Sequence, residues 1–130
     1  MFKIERRSSG FLLSFSGKIQ KPEMSRWLEE SKIQLQSASG NFGVIIDMRT
    51  LAPIDGETQA VMVEGQALYK KKGMARSAVI LANAVVTQQF KRLAQESGIY
   101  AFERYIDASV AADWSSVAMA WVRDGVDPDA

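Results

Sequence analysis

Two aspartates and an arginine within one short segment, VIIDMRTLAPIDGET at residues 44–58, have the types and spacing that could support chemistry. Asp47 and Asp55 are eight positions apart, and Arg49 stands between them. Carboxylates act as general acids or bases, and a pair of them can hold a hard cation such as Mg²⁺. A catalytic acid needs a second group within hydrogen-bond reach, and Mg²⁺ is usually completed by substrate oxygens. The sequence identifies neither, so both roles stand only as alternatives to a structural one.

The composition of the 130-residue chain removes several kinds of chemistry, because it contains no histidine and no cysteine. Ser-His-Asp and Cys-His catalysis, disulfides, and zinc held by cysteine and histidine are therefore excluded within this chain. Any hydrolysis would have to use carboxylates, lysine, tyrosine or a hydroxyl. We expect no metal, no cofactor and no enzymatic activity.

The balance of charge limits the classes of partner. The 16 basic and 15 acidic side chains leave a net charge of +1, which provides no electrostatic footprint for nucleic acid or anionic membranes. The longest apolar run, residues 78–86, is interrupted by Asn83 and is far shorter than the ~20 residues of a spanning helix. We expect a cytoplasmic protein without a transmembrane segment or nucleic-acid partner, compatible with a small homo-oligomer.

Five segments have the composition or alternation of strands. In chain order they are residues 2–4, 11–15, 42–48, 77–81 and 99–107. Turn-forming residues at 6–10 predict that the first two form a hairpin. The third and fourth are continuous apolar, β-branched runs, which are typical of strands buried on both faces.

Four further segments have helical spacing of apolar residues. They are a helix after Pro22 that ends at 37–41, one from Gly56 to Lys72, one from Val85 to Glu96, and one over Val110, Trp114, Val117, Ala118 and Trp121. The resulting order, β-β-α-β-α-β-α-β-α, implies parallel strand pairs with right-handed crossovers. We expect one domain over residues 1–123 and a frayed tail at 124–130.

Segment 44–58 resembles the signature of the STAS domain family, which includes the sporulation-type anti-sigma-factor antagonists. That signature is a buried strand ending in Asp, a short loop, and Ile-Asp-Ser-Ser-Gly at the start of a helix. Asp47 matches the first aspartate, and Ile54-Asp55 match the Ile-Asp pair. The segments YKKKGMARSAVILANAVVTQQFKRLAQESG and YIDASVAADW resemble later parts of the family, so the resemblance covers about residues 10–122. It implies an α/β fold with a mixed sheet of four to five strands and helices mainly on one face.

One departure from the family changes the implied function. In the antagonists, the residue after the loop aspartate is a serine whose phosphorylation switches off binding to a partner kinase. Gly56 occupies that position here, and Glu57 follows it where a second serine is common. Thr58 falls on the family's glycine and inherits no role. The resemblance therefore implies a regulatory protein-interaction module, with a protein partner still to be identified, that lacks the phosphoacceptor serine.

The residues expected at the interaction surface belong to the loop and the start of the following helix. They are Arg49, Pro53, Asp55, Gly56, Glu57 and Thr58. A structural interpretation competes for the two acidic residues. Asp55 has the position of a helix N-cap, whose carboxylate accepts from backbone N–H groups, and Glu57 complements the same end of the helix dipole.

A carrier for a lipid or another apolar small molecule is the alternative function. The lipid-transfer (CRAL–TRIO) fold shares the predicted topology and adds an apolar cavity between the sheet and its helices. The residues proposed to line such a pocket are Met24, Trp27, Phe90, Trp114 and Trp121. Their helical spacing is equally typical of an ordinary hydrophobic core.

Overall fold

Five strands form one mixed sheet in the computed structural model, which describes residues 1–38 and 40–130. In chain order they are β1 (Phe2–Arg7), β2 (Gly10–Gly17), β3 (Phe42–Leu51), β4 (Met74–Leu81) and β5 (Glu103–Asp107). The strands lie side by side in that same order. β1 pairs antiparallel with β2, and each later pair of neighbours is parallel. The predicted fold class is confirmed.

The helices lie on both faces of the sheet. They are α1 (Lys21–Gln34), α2 (Gly56–Lys71), α3 (Ala84–Ser97) and α4 (Trp114–Asp124), with single 3-10 turns at Leu35–Ser37 and Tyr100–Phe102. α2 packs between α1 and α3, and these three cover one face, whereas α4 covers part of the other. The predicted element order and the predicted placing of most helices on one face are confirmed. No helix within the described residues is long and apolar enough to cross a membrane.

The start of the last helix differs from the prediction. Val110 was expected within it, but α4 begins four residues later and Val110 is 81% exposed. The cause is a turn directly after β5, where Asp107 accepts the N–H of Ser109 on its side chain at 2.9 Å and that of Ala111 on its carbonyl at 3.0 Å. The segment 37–41, predicted to end the first helix, includes Ser39, which is outside the described residues.

The larger core lies between the sheet and α1–α3. Trp27 of α1 stands at its centre, stacked on Tyr69 with ring centroids 5.8 Å apart and edge-on to Phe15 at 5.4 Å. Gly65 of α2 makes this packing possible, because a Cβ atom at that position would overlap the Trp27 ring. The absence of one side chain on α2 thus allows the largest side chain of α1 to be fully enclosed.

A smaller core lies on the opposite face, between the sheet and α4. Alternation along β4 directs Val79 into the larger core and Ala78 and Ile80 into the smaller one, where Trp121 packs. The indole N–H of Trp121 donates to the carbonyls of Ser77 and Phe102, at 3.0 and 3.2 Å. Because both faces of β4 are buried in a core, its sequence is a continuous apolar run.

The tail after α4 contacts the sheet. Asp127 accepts two hydrogen bonds from the Arg104 guanidinium, at 2.8 and 3.0 Å, and Gly125 ends α4 in the left-handed conformation with φ of 71°. The division into a domain at 1–123 and a frayed tail at 124–130 stays a prediction, since fraying is a dynamic property.

Candidate functional site

The loop between β3 and α2 carries most of the residues predicted to form an interaction surface. Asp55 is the N-cap of α2, as the structural interpretation required: its Oδ1 accepts the backbone N–H of Thr58 at 2.9 Å and the Thr58 hydroxyl at 2.7 Å. The backbone hydrogen bond from Thr58, followed by that of its hydroxyl, holds the pKa of Asp55 below its ordinary value. Asp55 is therefore an ionised structural acceptor at neutral pH.

The loop backbone is held from two helices. Gln89 of α3 accepts the N–H of Ile54 at 3.0 Å and donates to the Ile54 carbonyl at 3.1 Å. Gln59 of α2 donates to the same carbonyl at 2.9 Å. Sequence reasoning missed Gln89, because it is 35 residues from its partner and a glutamine on a helix gives no local signal.

Exposure divides the predicted surface residues into two groups. Arg49, Pro53, Asp55, Gly56 and Glu57 are exposed. The last four belong to the loop and the first turn of α2, whereas Arg49 belongs to β3 and contacts Trp114 of α4. Thr58 is fully buried. Its place in the interaction surface is corrected, because its hydroxyl faces the cap carboxylate rather than solvent.

Arg49 is fixed between the sheet and α4. Asp47 accepts the Arg49 backbone N–H at 3.1 Å, Nε at 3.0 Å and Nη2 at 2.9 Å. The guanidinium also stands over the Trp114 ring, 4.2 Å from its centroid. Partial burial raises the pKa of Asp47, but the hydrogen bonds and charge of Arg49 outweigh it, so the pKa lies below its ordinary value.

The two aspartates thus serve separate partners. Asp47 holds Arg49 on the α4 side, and Asp55 caps α2. Within residues 1–38 and 40–130, no group of three acidic, histidine or cysteine side chains is arranged to hold a metal ion. Neither aspartate is poised as a general acid near neutral pH, which needs a raised pKa and a free proton site.

A groove of about 520 Å³ runs between α4 and the β1–β2 hairpin, and we call it the hairpin groove. Its floor includes Leu12 and Ile45, its helical wall includes Trp114 and Met119, and Arg7 is at the hairpin end. The groove exists because, within the described residues, α4 packs chiefly on β3, β4 and β5 and leaves β2 largely uncovered. The sequence predicted none of these groove residues except Trp114, because the docking position of α4 is a tertiary property.

The pocket predicted between the sheet and its helices is nearly filled. A cavity of about 30 Å³ lies there, lined by residues that include Trp27 and Phe90. It has room for about one or two water molecules, whereas sites for small ligands span roughly 300–1,000 Å³. Trp114 and Trp121 are on the other face of the sheet, so the five proposed lining residues, Met24 included, do not surround one space.

One buried carboxyl group was not anticipated. Glu103, at the start of β5, is 3% exposed and accepts hydrogen bonds from Ser77 Oγ at 3.0 Å and Tyr105 Oη at 2.7 Å. Burial raises the pKa of Glu103 to about 7, although the two hydrogen bonds oppose the shift. A charged residue at the edge of a strand gave no indication in the sequence that it would be enclosed.

Comparison with known proteins bears on the fold. Six chains among the solved structures match, and one is the crystal structure of an uncharacterized protein of the DUF3478 family, with a SpoIIAA-like fold, from Shewanella loihica PV-4. The TM-score is 0.60 at 16% sequence identity, over 94% of this chain and 92% of that chain. No protein-family model and no curated protein matches the chain. The chain therefore has a SpoIIAA-like fold, which confirms at the level of the fold the predicted resemblance to STAS domains.

Proposed function

We propose that this chain is a non-enzymatic regulatory module that binds a protein partner through the surface around the β3–α2 loop. One observation carries the proposal: the loop is held from within, and its outer side chains remain free. Asp55 and the backbone of Ile54 make internal hydrogen bonds, whereas Pro53, Gly56 and Glu57 are exposed. A loop held in one conformation loses little conformational entropy on binding, which favours recognition.

The proposed lack of enzymatic activity is supported by the state of the ionisable groups. The pKa values of Asp47 and Asp55 are lowered, and both carboxylates accept hydrogen bonds from their own neighbours. Glu103 has a pKa of about 7 but is enclosed by protein, where a substrate would not reach it. General acid–base catalysis needs a group that is both poised and accessible to substrate.

The proposed module works without a phosphoserine switch. Gly56 has no hydroxyl, and Glu57 carries a negative charge that cannot be removed by a phosphatase. The nearest hydroxyl, that of Thr58, is buried against Asp55 and is closed to a kinase in the folded state. Regulation by this site would therefore depend on the amount of partner rather than on modification of the loop.

Co-purification from the native cell tests the proposal. The tagged full chain is compared with Glu57→Lys, which reverses an exposed charge on the loop surface, and with Lys71→Glu, which makes the opposite reversal at the far end of α2. We expect one protein to be recovered with the wild type and Lys71→Glu and to be lost with Glu57→Lys. Recovery of no partner, or equal recovery with all three, would contradict the proposal.

A carrier of a small amphipathic molecule is the second candidate, and the hairpin groove favours it. The groove volume of about 520 Å³ is within the range of ligand sites, and its floor is apolar with Arg7 at one end. A ligand with an apolar body and an anionic group would fit this arrangement. The location differs from the predicted pocket, which lies on the opposite face of the sheet.

Native mass spectrometry and thermal shift with decanoate test this second candidate. We expect a bound mass, a decanoate-induced rise in Tm, and loss of that rise in Leu12→Glu, which places a charge on the groove floor. Ile33→Glu is the control, since Ile33 is 63% exposed on α1, away from the groove. An apo mass together with no thermal shift would rule the carrier out.

A further inference from the structure

The outer edge of β1 is open for pairing. Within the described residues β1 is hydrogen-bonded to β2 alone. Met1 and Ser16 are a hydrogen-bonded pair of the antiparallel ladder, because each backbone N–H donates to the carbonyl of the other at 2.8 Å. Because bonded and non-bonded pairs alternate, the N–H and C=O groups of Phe2, Ile4 and Arg6 point away from β2. The edge thus offers three residues whose backbone groups can pair with another strand.

The side chains of β1 alternate between the two faces of the sheet. Lys3, Glu5 and Arg7 project on the α4 side, where Glu5 stands 3.7 Å from Lys3 and 3.5 Å from Arg7. Phe2 and Ile4 project on the other side and pack against the larger core. The edge therefore carries charges of alternating sign on one face, and two apolar side chains and Arg6 on the other.

We propose that the β1 edge binds a second copy of this chain, antiparallel and centred on Ile4, so that two sheets join into one. In this register the outward backbone groups of Ile4 in the two copies bond to each other, and those of Phe2 bond to Arg6. Lys3 of each copy then stands directly opposite Glu5 of the other. Side chains directly opposite each other have Cβ atoms about 4.5–5.5 Å apart, which brings the opposite charges into contact.

The charges select this register over its neighbours. Centring the pair on Lys3 would place the two Lys3 ammonium groups opposite each other, and centring it on Glu5 would oppose the two Glu5 carboxylates and set Lys3 against Arg7. Centring on Arg6 would oppose two guanidinium groups. That last register also pairs Glu5 with Arg7 twice, but it overlaps only residues 5–7 of β1, whereas centring on Ile4 overlaps residues 2–6. Like charges directly opposite are unfavourable, so Ile4 is the centre that pairs opposite charges twice without opposing like charges.

The other face of the seam is also complementary. Ile4 of one copy meets Ile4 of the other, which extends the apolar surface of the larger core across the axis. The Arg6 guanidinium carbon stands 5.3 Å from the centroid of the Phe11 ring of the same chain, so this arginine already lies beside one aromatic side chain. Phe2 of the second copy would present a second ring to it.

A single strand pair buries a small area, so the dimer is a reversible one that dissociates on dilution. This assembly does not involve the loop surface, and of the hairpin-groove residues named above it includes only Arg7. It uses a different edge of the molecule and requires neither a partner protein nor a ligand.

Sedimentation velocity of the full chain tests the proposal, over concentrations from about 10 μM to about 1 mM. We expect a concentration-dependent dimer that Lys3→Glu and Glu5→Lys each weaken about tenfold or more, since each variant places like charges opposite each other twice. The double variant Lys3→Glu/Glu5→Lys restores the opposite charges and should dimerise as the wild type does. Lys72→Glu, at the end of α2, is the control for net charge.

Mixing the two single variants provides the decisive comparison. At positions 3 and 5, a chain with Lys3→Glu has two acidic groups, and a chain with Glu5→Lys has two basic ones. Their heterodimer pairs opposite charges at both positions, so we expect the mixture to associate more tightly than either variant alone. Far-UV circular dichroism confirms folding of each variant. A wild type that stays monomeric throughout, or a dimer unaffected by these exchanges, overturns the proposal.

Discussion

Arg49 joins β3 to α4: its guanidinium stands 4.2 Å from the centroid of the Trp114 ring while two of its nitrogens bind Asp47. The contact links a strand of the sheet to the first residue of the last helix. Arg49, which the sequence predicted at the interaction surface, also lines the hairpin groove. Two partners acting on one side chain determine where its positive charge is presented.

The energetic coupling between Arg49 and Trp114 can be measured with a double-mutant cycle. We expect Arg49→Ala and Trp114→Ala each to lower the free energy of unfolding, with a coupling of about 0.5–1 kcal/mol, because cation–π contacts at partly exposed sites are of that size. Urea denaturation of the four proteins gives the coupling. Additive effects of the two substitutions would show that the contact contributes nothing.

Gly65→Ala should destabilise the protein although alanine is the better helix former. A Cβ atom at residue 65 would overlap the Trp27 ring, and forcing it into this packed core costs about 1–3 kcal/mol. The gain in helix propensity is about 1 kcal/mol, so we expect a net loss of up to about 2 kcal/mol. Gly56→Ala is the matched control, because nothing lies within 4 Å of a Cβ there. Equal stability of the two variants would be inconsistent with this packing.

Glu103 should make stability depend on pH. Burial raises its pKa from 4.5 to about 7. Between these two pH values, the native state therefore holds a proton that the unfolded chain has released. The contribution of this group to stability is complete below pH 4.5 and is lost as the pH rises to about 7. We expect the free energy of unfolding of Glu103→Gln, relative to that of the wild type, to rise by about 1–3 kcal/mol between pH 4 and pH 8. Urea denaturation of both proteins across this pH range measures the difference. A difference between the two proteins that does not change with pH would refute the raised pKa.

Removal of the cap at Asp55 should loosen the start of α2. Asp55→Ala deletes the acceptor of both Thr58 hydrogen bonds, so we expect a lower Tm and faster amide exchange at residues 57–59. Asp55→Ser retains a side-chain oxygen at the cap and should lose less. The depressed pKa of Asp55 means that its contribution is present above the ordinary value of 3.8 and is lost as the pH falls below it. Equal Tm values for the alanine and serine variants would argue against capping.

Local patterns predicted the elements and their ends. Asp55 was interpreted as an N-cap, and a helix was predicted to end at Glu96. The structure shows the cap hydrogen bonds, and the helix ends one residue later, at Ser97, before a left-handed Gly98 with φ of 86°. Both depend on residues within one turn of the chain, so the sequence contains the whole of the required information. Val110 was misplaced because its apolar spacing continues that of α4, whereas the bonds to Asp107 turn the chain before the helix begins.

The candidate site was predicted less completely than the elements. The exposed loop residues were identified from the strand-to-helix pattern, but the burial of Thr58 and the bond from Gln89 to Ile54 were not. The hairpin groove and the enclosure of Glu103 were also missed. Each depends on how a helix docks against the sheet, which contacts between distant parts of the chain decide.

The sequence by itself determined the order of the strands and helices, the cap at Asp55 and the absence of histidine and cysteine chemistry. Only the tertiary structure decided which face of the sheet each tryptophan joins. Trp27 and Trp121 each belong to a helix whose apolar residues recur at helical spacing, yet they pack in cores on opposite faces of the sheet. The spacing of apolar residues predicts that a helix has an apolar side. The face of the sheet on which that helix packs depends instead on the path of the connection between strands.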